Sequence, residues 1–444
     1  MYPSFKYKSS VMFRFIFFSA LSVVYFFVPI AGVTPMVFLV GWLKTALAEI
    51  KDYLTFLICF MLVVTFLLSR FTNSRAMKEY HRTDGWIKGI FYIVAAVCAF
   101  MVAFDIGPHW ILDADVGGLA VDLAGTALIT VSVCGLMVVV VLNSGVVEFF
   151  GALIEPIMRP LFRLPGRAAV DCLASFVSAA AVGVFFTDKA YQMKIYTERE
   201  AYTVMTCWSV CSLGFFAVIV SIAGIEHIYG KTVLTSLIVC FILSAICVRI
   251  WPWIKRPPNF IDGQEQTAKM RKEKQKPANG RFNLAVSDGL ARASEFTGEA
   301  FVSGAKDALA FTQKIVAYVA AISAVALVVT EYTPIFSWIG YPMIPLLRLC
   351  GFDAVEAAIM APATLVGISE VAMPAILVTG SGISEKAVFF ICVLSTVQII
   401  FFSESVNAML ESKVKMSIGN LCLVFLIRTL IAMPLLAIAC VMLF

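Results

Sequence analysis

Apolar runs of about 20 residues recur from one end of this chain to the other, and a helix of that length is what crosses a ~30 Å hydrocarbon layer. Inside lipid no water reaches a backbone N–H or C=O, so a spanning segment satisfies its own polar groups as a helix. Of the 444 residues, 61% are hydrophobic and 14% charged, which leaves too little polar surface to wet the outside of a soluble fold. The expected class is all-α: a polytopic membrane protein of about nine transmembrane helices plus two re-entrant hairpins in an inverted repeat. The nine runs are 11–33, 52–69, 86–104, 125–149, 201–225, 231–251, 309–330, 386–402 and 417–443.

Two further apolar stretches are interrupted, 168–186 by Gly183 and 354–377 by Pro362, Gly367 and Pro374. Charge decides how they run, because short loops rich in Lys and Arg stay cytoplasmic. The N-terminus with Lys6, Lys8 and Arg14, the loop with Arg70, Arg75, Lys78 and Arg82, and the segment with Arg159, Arg163 and Arg167 read as inside. The connection with Asp105, Asp113, Asp115 and Asp122 carries no basic residue and reads as outside. The basic stretch from Arg249 to Arg281 then stays inside only if 168–186 dips into the membrane and returns to the same face. The first run lacks a convincing cleavage pattern and reads as a retained helix. The expected location is the cell inner membrane, multi-pass, with a cytoplasmic N-terminus.

The chain also repeats itself. Pro160-Leu161-Phe162-Arg163-Leu164-Pro165-Gly166 is followed by Ala169-Val170-Asp171; Pro345-Leu346-Leu347-Arg348-Leu349-Cys350-Gly351 is followed by Ala354-Val355-Glu356. Each copy leads into an interrupted stretch, a charged turn, and a helix with a serine partway along, Ser209 or Ser395. One hairpin and an odd number of full spans separate the motifs, so the copies face opposite sides, the arrangement on which alternating access is built. The expected divisions are 1–123, N-terminal scaffold helices; 124–251, first repeat; 252–305, a basic cytoplasmic loop; and 306–444, the second repeat, inverted.

The repeats, from about Gly151 to Ile225 and from Pro334 to about Lys413, resemble the nucleoside-recognition Gate domain of concentrative nucleoside transporters, ferrous-iron transporter membrane domains and spore-maturation proteins. The opening Phe13-Arg14-Phe15-Ile16-Phe17-Phe18-Ser19-Ala20, with the Arg-Leu-x-Gly motifs, is most similar to YjiH-type membrane proteins. The resemblance implies a transport architecture more firmly than it implies nucleosides.

A charged side chain at hydrocarbon depth costs at least ~2.5 kcal/mol, so it faces a cavity or a partner. Thr364, Ser369 and Glu370 in the second hairpin, then Ser395, Gln398, Ser405 and Asn407, are the first candidates for a solute site, with Ser178 and Ser209 from the first repeat. Glu370, Glu404 and Asp188 are candidates to bind Na⁺ or titrate with H⁺. Arg428 has no obvious partner; it snorkels or pairs with an acid such as Glu404. Asp171 and Glu356 match across the repeat and read as hairpin caps.

The twelve cysteines lie almost all in apolar stretches and imply no disulfide framework. Cys207 and Cys211 stand four apart without a completing ligand, so no metal site is expected. His81, His109 and His227 read as surface residues in loops. A net charge of +5 does not suggest nucleic acid. With no phosphate loop and no ordered nucleophile and base, the chain reads as no enzyme and as needing no cofactor. The expected function is secondary transport of a small polar solute, nucleoside-like or an amino acid or other small metabolite, by alternating access in the lipid bilayer. A non-transporting Gate scaffold or sensor and a metal-ion permease are the alternatives, and a homo-oligomer is left open.

Overall fold

The computed structural model describes residues 9–28, 30, 34–82, 84–177, 179–267 and 280–444. Ser178 and the lysine- and arginine-rich residues 269–276 lie outside them. Among the described residues the chain is helical, and Asn259 with Glu265 forms an isolated bridge rather than a strand. Six of the described helices are long and apolar enough to cross a membrane unaided: Lys51–Phe71, Trp86–Phe104, Val116–Ser144, Glu226–Cys247, Gly298–Tyr332 and Ile418–Leu443. The chain is a multi-pass membrane protein.

Four longer helices come first, α1 (Ser9–Phe27), α2 (Pro35–Ala46), α3 (Lys51–Phe71) and α4 (Trp86–Phe104), with short helical turns at Arg75–Tyr80 and His109–Leu112. A first unit follows, with α5 (Leu119–Ser144), α6 (Val146–Phe162), the hairpin arms α7 (Ala168–Val177) and α8 (Ala180–Gln192), α9 (Glu198–Trp208), α10 (Leu213–Ile222) and α11 (Tyr229–Cys247). After α12 (Arg281–Ser294) the same order returns in α13 (Gly298–Tyr332), the hairpin arms α14 (Ala354–Val366) and α15 (Met373–Val378), α16 (Glu385–Gln398), α17 (Ser405–Glu411) and α18 (Ile418–Leu443). Each unit is thus a long helix, a hairpin, a broken helix and another long helix.

The two units interlock reciprocally. The second hairpin arm of the first unit, α8, packs on α17; the second arm of the second unit, α15, packs on α10. Long helices α5 and α13 lie along one another. Such paired cross-contacts are what a two-fold relation between units produces. The repeated motif is the turn into each hairpin: Arg163 closes α6 in the left-handed region (φ 55°) and Gly351 has φ 90°. Gly166 is packed so closely on α6 that a Cβ there would sit 1.9 Å from the Gly151 carbonyl oxygen. The matched acids tie each hairpin to the start of its broken helix. Asp171 accepts from Tyr196 (2.8 Å) and Thr187 (3.1 Å), and Glu356 accepts from the Ser384 backbone N–H (2.9 Å).

Three expected spans differ. The run 125–149 is two helices, because Gly145 (φ 90°) meets the Gly289 carbonyl of α12 at a distance that excludes any Cβ. The runs 201–225 and 386–402 are broken, at 209–212 and 399–404. At the first break the Cys207 carbonyl accepts from Ser244 Oγ (3.1 Å) of α11, and Ser212 restarts the helix as an N-cap to Phe215 N–H (3.2 Å). At the second, Arg428 of α18 donates to the Val397 (2.6 Å) and Gln398 (3.1 Å) carbonyls. It is therefore a C-cap for α16, neither snorkelling nor paired with Glu404. Ile399 then adopts φ 68°, a left-handed conformation that costs a β-branched residue about 1–3 kcal/mol and persists only where its surroundings enforce it.

His81 is also not a surface residue. It is buried, with Nδ1 2.8 Å from Asp84 Oδ2 and Nε2 3.1 Å from Thr65 Oγ1. Asp84 belongs to a partly buried ring of alternating charge, in which Asp84 and Lys314 are buried and Lys88 and Glu411 half-buried. Lys314 Nζ lies 3.2 Å from Asp84 and 2.7 Å from Glu411; Lys88 Nζ lies 3.3 Å from Asp84 and 2.9 Å from Glu411. The ring joins α4, α13 and the end of α17, so the N-terminal helices are fastened to the second unit.

Candidate functional site

The two hairpin turns and the two helix breaks converge on a cavity of about 350 Å³. The first unit contributes Ala179 from its hairpin turn, Cys211 and Ser212 from its break and Phe215 from the first turn of α10. The second contributes Glu370 and Val371 from its turn, with Phe401, Ser403 and Glu404 from its break. Helix α5 adds Thr126 and Thr130, α13 adds Val319, and α2 closes one side with Met36, Val40 and Lys44.

Backbone geometry at the breaks follows from where the hydrogen bonds go. In the second unit the turn and the break zip together, Phe402 N–H to Ile368 O (2.7 Å) and Ser403 N–H to Ser369 O (3.0 Å). Ser405 holds the kink shut, donating to Ile399 O (2.6 Å) and accepting from Phe401 N–H (3.0 Å). Non-helical backbone at membrane depth is tolerated where protein covers it or a cavity adjoins it, and both conditions hold here.

Two buried carboxylates stand on the wall. Glu404 Oε1 accepts the Ala181 N–H (2.8 Å), so the second unit's break caps the first unit's hairpin arm α8. Glu370 Oε1 faces the Ala372 N–H at 3.4 Å. Among the described residues neither has a Lys, Arg or His within ion-pair distance.

The other sequence candidates surround the cavity without lining it. Thr364 donates to Ala361 O (2.7 Å), Ser369 to Val366 O (2.6 Å) and Ser395 to Cys392 O (2.9 Å). Gln398 clamps the hairpin, its amide donating to Thr364 O (2.7 Å) and Thr429 Oγ1 (2.8 Å), and the Asn407 amide donates to Phe402 O. Ser209 is buried at the end of α9. Both oxygens of Asp188 are engaged, by Lys413 N–H (2.6 Å) and Gln192 Nε2 (2.6 Å). Cys207 and Cys211 do not share a helix, since α9 stops at Trp208 and Cys211 faces the cavity. Sequence reasoning passed over α2 and Lys44; a lone lysine closing an apolar run after Pro35 is the signal they carry.

Residues 50–226 match a family model, Gate, described as nucleoside recognition. An uncharacterized protein of Alkalihalophilus pseudofirmus is 33% identical over 404 residues, covering 88% of this chain and 86% of its own. The chain belongs to the Gate family. In this Gate protein the matched region runs from α3 to just past α10, so it holds the first hairpin and the first break, and the second unit lies beyond it. No solved structure matches the chain. Gate domains occur in nucleoside transporters and related membrane proteins, which supports a membrane transporter in general.

Proposed function

We propose that this Gate protein is a secondary transporter that binds a small polar solute in the cavity between its two units and exposes it to either side by rocking one unit against the other. The observation that carries this reading is the convergence of both hairpin turns and both helix breaks on one cavity of about 350 Å³, within the ~300–1,000 Å³ range of small-molecule sites. Broken helices meeting at a repeat interface are where transporters of this kind hold solute and coupling ion. Glu370 and Glu404 are the groups that hold positive charge there, whether Na⁺, H⁺ or a charge on the solute. The reading sets the protein in the cell inner membrane with its N-terminus in the cytoplasm, as the distribution of Lys and Arg supports.

A thermal-shift screen of the purified protein against nucleosides, nucleobases and amino acids, each with and without Na⁺, tests it. A ligand bound to the folded state at about 100 times its Kd adds about 2.7 kcal/mol of apparent stability. The expected result is a stabilising solute whose effect is lost in Glu370→Gln. A protein stabilised by no solute under any ionic condition would count against transport and favour a scaffold.

A further inference from the structure

The composition of the cavity wall narrows the solute. A nucleobase edge presents paired donors and acceptors, which amide side chains read well. Among the described residues lining the cavity there is no Asn, Gln or His. The amides nearest in sequence, Gln398 and Asn407, spend their N–H groups on Thr364, Thr429 and Phe402. What the wall offers instead is two carboxylates, four hydroxyls and the faces of apolar side chains. The hydroxyls belong to Thr126, Thr130, Ser212 and Ser403. Each carboxylate has Oε1 directed at a backbone N–H, Ala181 for Glu404 and Ala372 for Glu370.

Two acids buried on one wall, with no basic partner at ion-pair distance among the described residues, either take up protons or are matched by a cation brought in from outside, since burying charge is costly unless it is paired. Phe215 and Phe401 line the same cavity, and aromatic faces attract cations as well as apolar bodies. The basic residue on the wall is Lys44, which comes from α2 and is only partly buried.

Resting on the transport reading above, we propose that the solute is a protonated amine with an apolar body. Its ammonium, which has three donors and no acceptor, sits against Glu370 and Glu404. Its apolar part lies against Phe215 and Phe401. Where the solute also carries a carboxylate, as an amino acid does, Lys44 is the group that receives it.

The test uses the full-length protein in detergent and four probes: 3-methylbutylamine, L-leucine, 4-methylpentanoate and uridine. The amine and leucine should bind, the acid and uridine should not. Glu370→Gln or Glu404→Gln should weaken the amine by about tenfold or more, the equivalent of one charge-assisted contact. Glutamine at 404 still offers an oxygen to Ala181 N–H, and unliganded melting temperatures check that each variant is folded. A second measurement needs no ligand. Cys211 is a native thiol on the wall, so a cationic methanethiosulfonate reagent should modify it faster than an anionic one, and Glu370→Gln should shrink the ratio, with Cys211→Ser as the blank. Binding of uridine in place of the amines, or a rate ratio favouring the anion, overturns the amine proposal while leaving transport intact. If no probe binds and, with the protein in sealed membrane vesicles, Cys211 is reachable from one side of the membrane only, the transport reading itself fails.

Discussion

Arg428 lies in the middle of an apolar helix and is fully buried, yet its guanidinium is engaged by the two backbone carbonyls that end α16. A guanidinium at a helix C-terminus satisfies orphan carbonyls and complements the helix dipole. Without it, α16 has no partner for those groups and the kink at Ile399 loses its support. Arg428→Met should therefore lower stability by roughly 3 kcal/mol, the scale of two hydrogen bonds from a charged donor. The check is a thermal melt in detergent. Asp84 makes a prediction of a different kind. Burial opposes its charge, but the His81 hydrogen bond and the ammonium groups of Lys314 and Lys88 outweigh that, and the carboxyl is held well below its usual range. A carboxyl with a depressed folded-state pKa contributes stability that is present above the ordinary value of about 3.9 and is lost as pH falls below it. Melting temperature should fall between pH 5 and 3 more steeply in wild type than in Asp84→Asn, taking those pH values as rough bounds on the carboxylate range. Equal slopes would mean that the ring does not depend on this charge.

Among the elements, α17 links the functional site to the rest of the protein. Its N-terminal boundary is Glu404 on the cavity wall, and its last residue, Glu411, belongs to the charge ring with Lys88 and Lys314. Removing one member of a buried ionic set costs about 3–5 kcal/mol because its partners are left uncompensated, whereas removing matched charges together is often near neutral. Glu411→Leu should be strongly destabilising, and Lys88→Met in the same chain should restore part of the loss; a double-mutant cycle on melting free energies decides it. Element order was legible in the chain because the Arg-Leu-x-Gly motif marks the turn into each hairpin, and the matched acids Asp171 and Glu356 do equivalent work. The breaks were not. Residues 209–212 and 399–404 contain no Gly or Pro, and the interruption of α16 is imposed by Arg428 from a helix about 30 positions later. Ser395, Gln398 and Ser405 stood out by polarity, which cannot tell a side chain facing a cavity from one stapling a kink. Glu370 and Glu404 face the cavity because the turn and the break that carry them leave the helical path. Lys44 was hidden for the opposite reason, since α2 is short and its place over the cavity is set by packing on α5.

At the scale of the whole molecule, two like units clasp one cavity, with the N-terminal helices fastened to one of them by a partly buried charge ring. Reciprocal packing of α8 on α17 and α15 on α10 means that neither hairpin can shift without the broken helix of the other unit. On the transport reading proposed above, rocking opens the cavity to each face in turn, and substitution of the wall acids should abolish solute-induced stabilisation without unfolding the protein. The most direct test follows Cys211 in sealed membrane vesicles of both orientations, using a membrane-impermeant thiol reagent. Alternating access predicts that Cys211 is modified from the cytoplasmic face and from the outer face, and that a bound solute slows both reactions. Modification from a single face, unchanged by any solute, would contradict it.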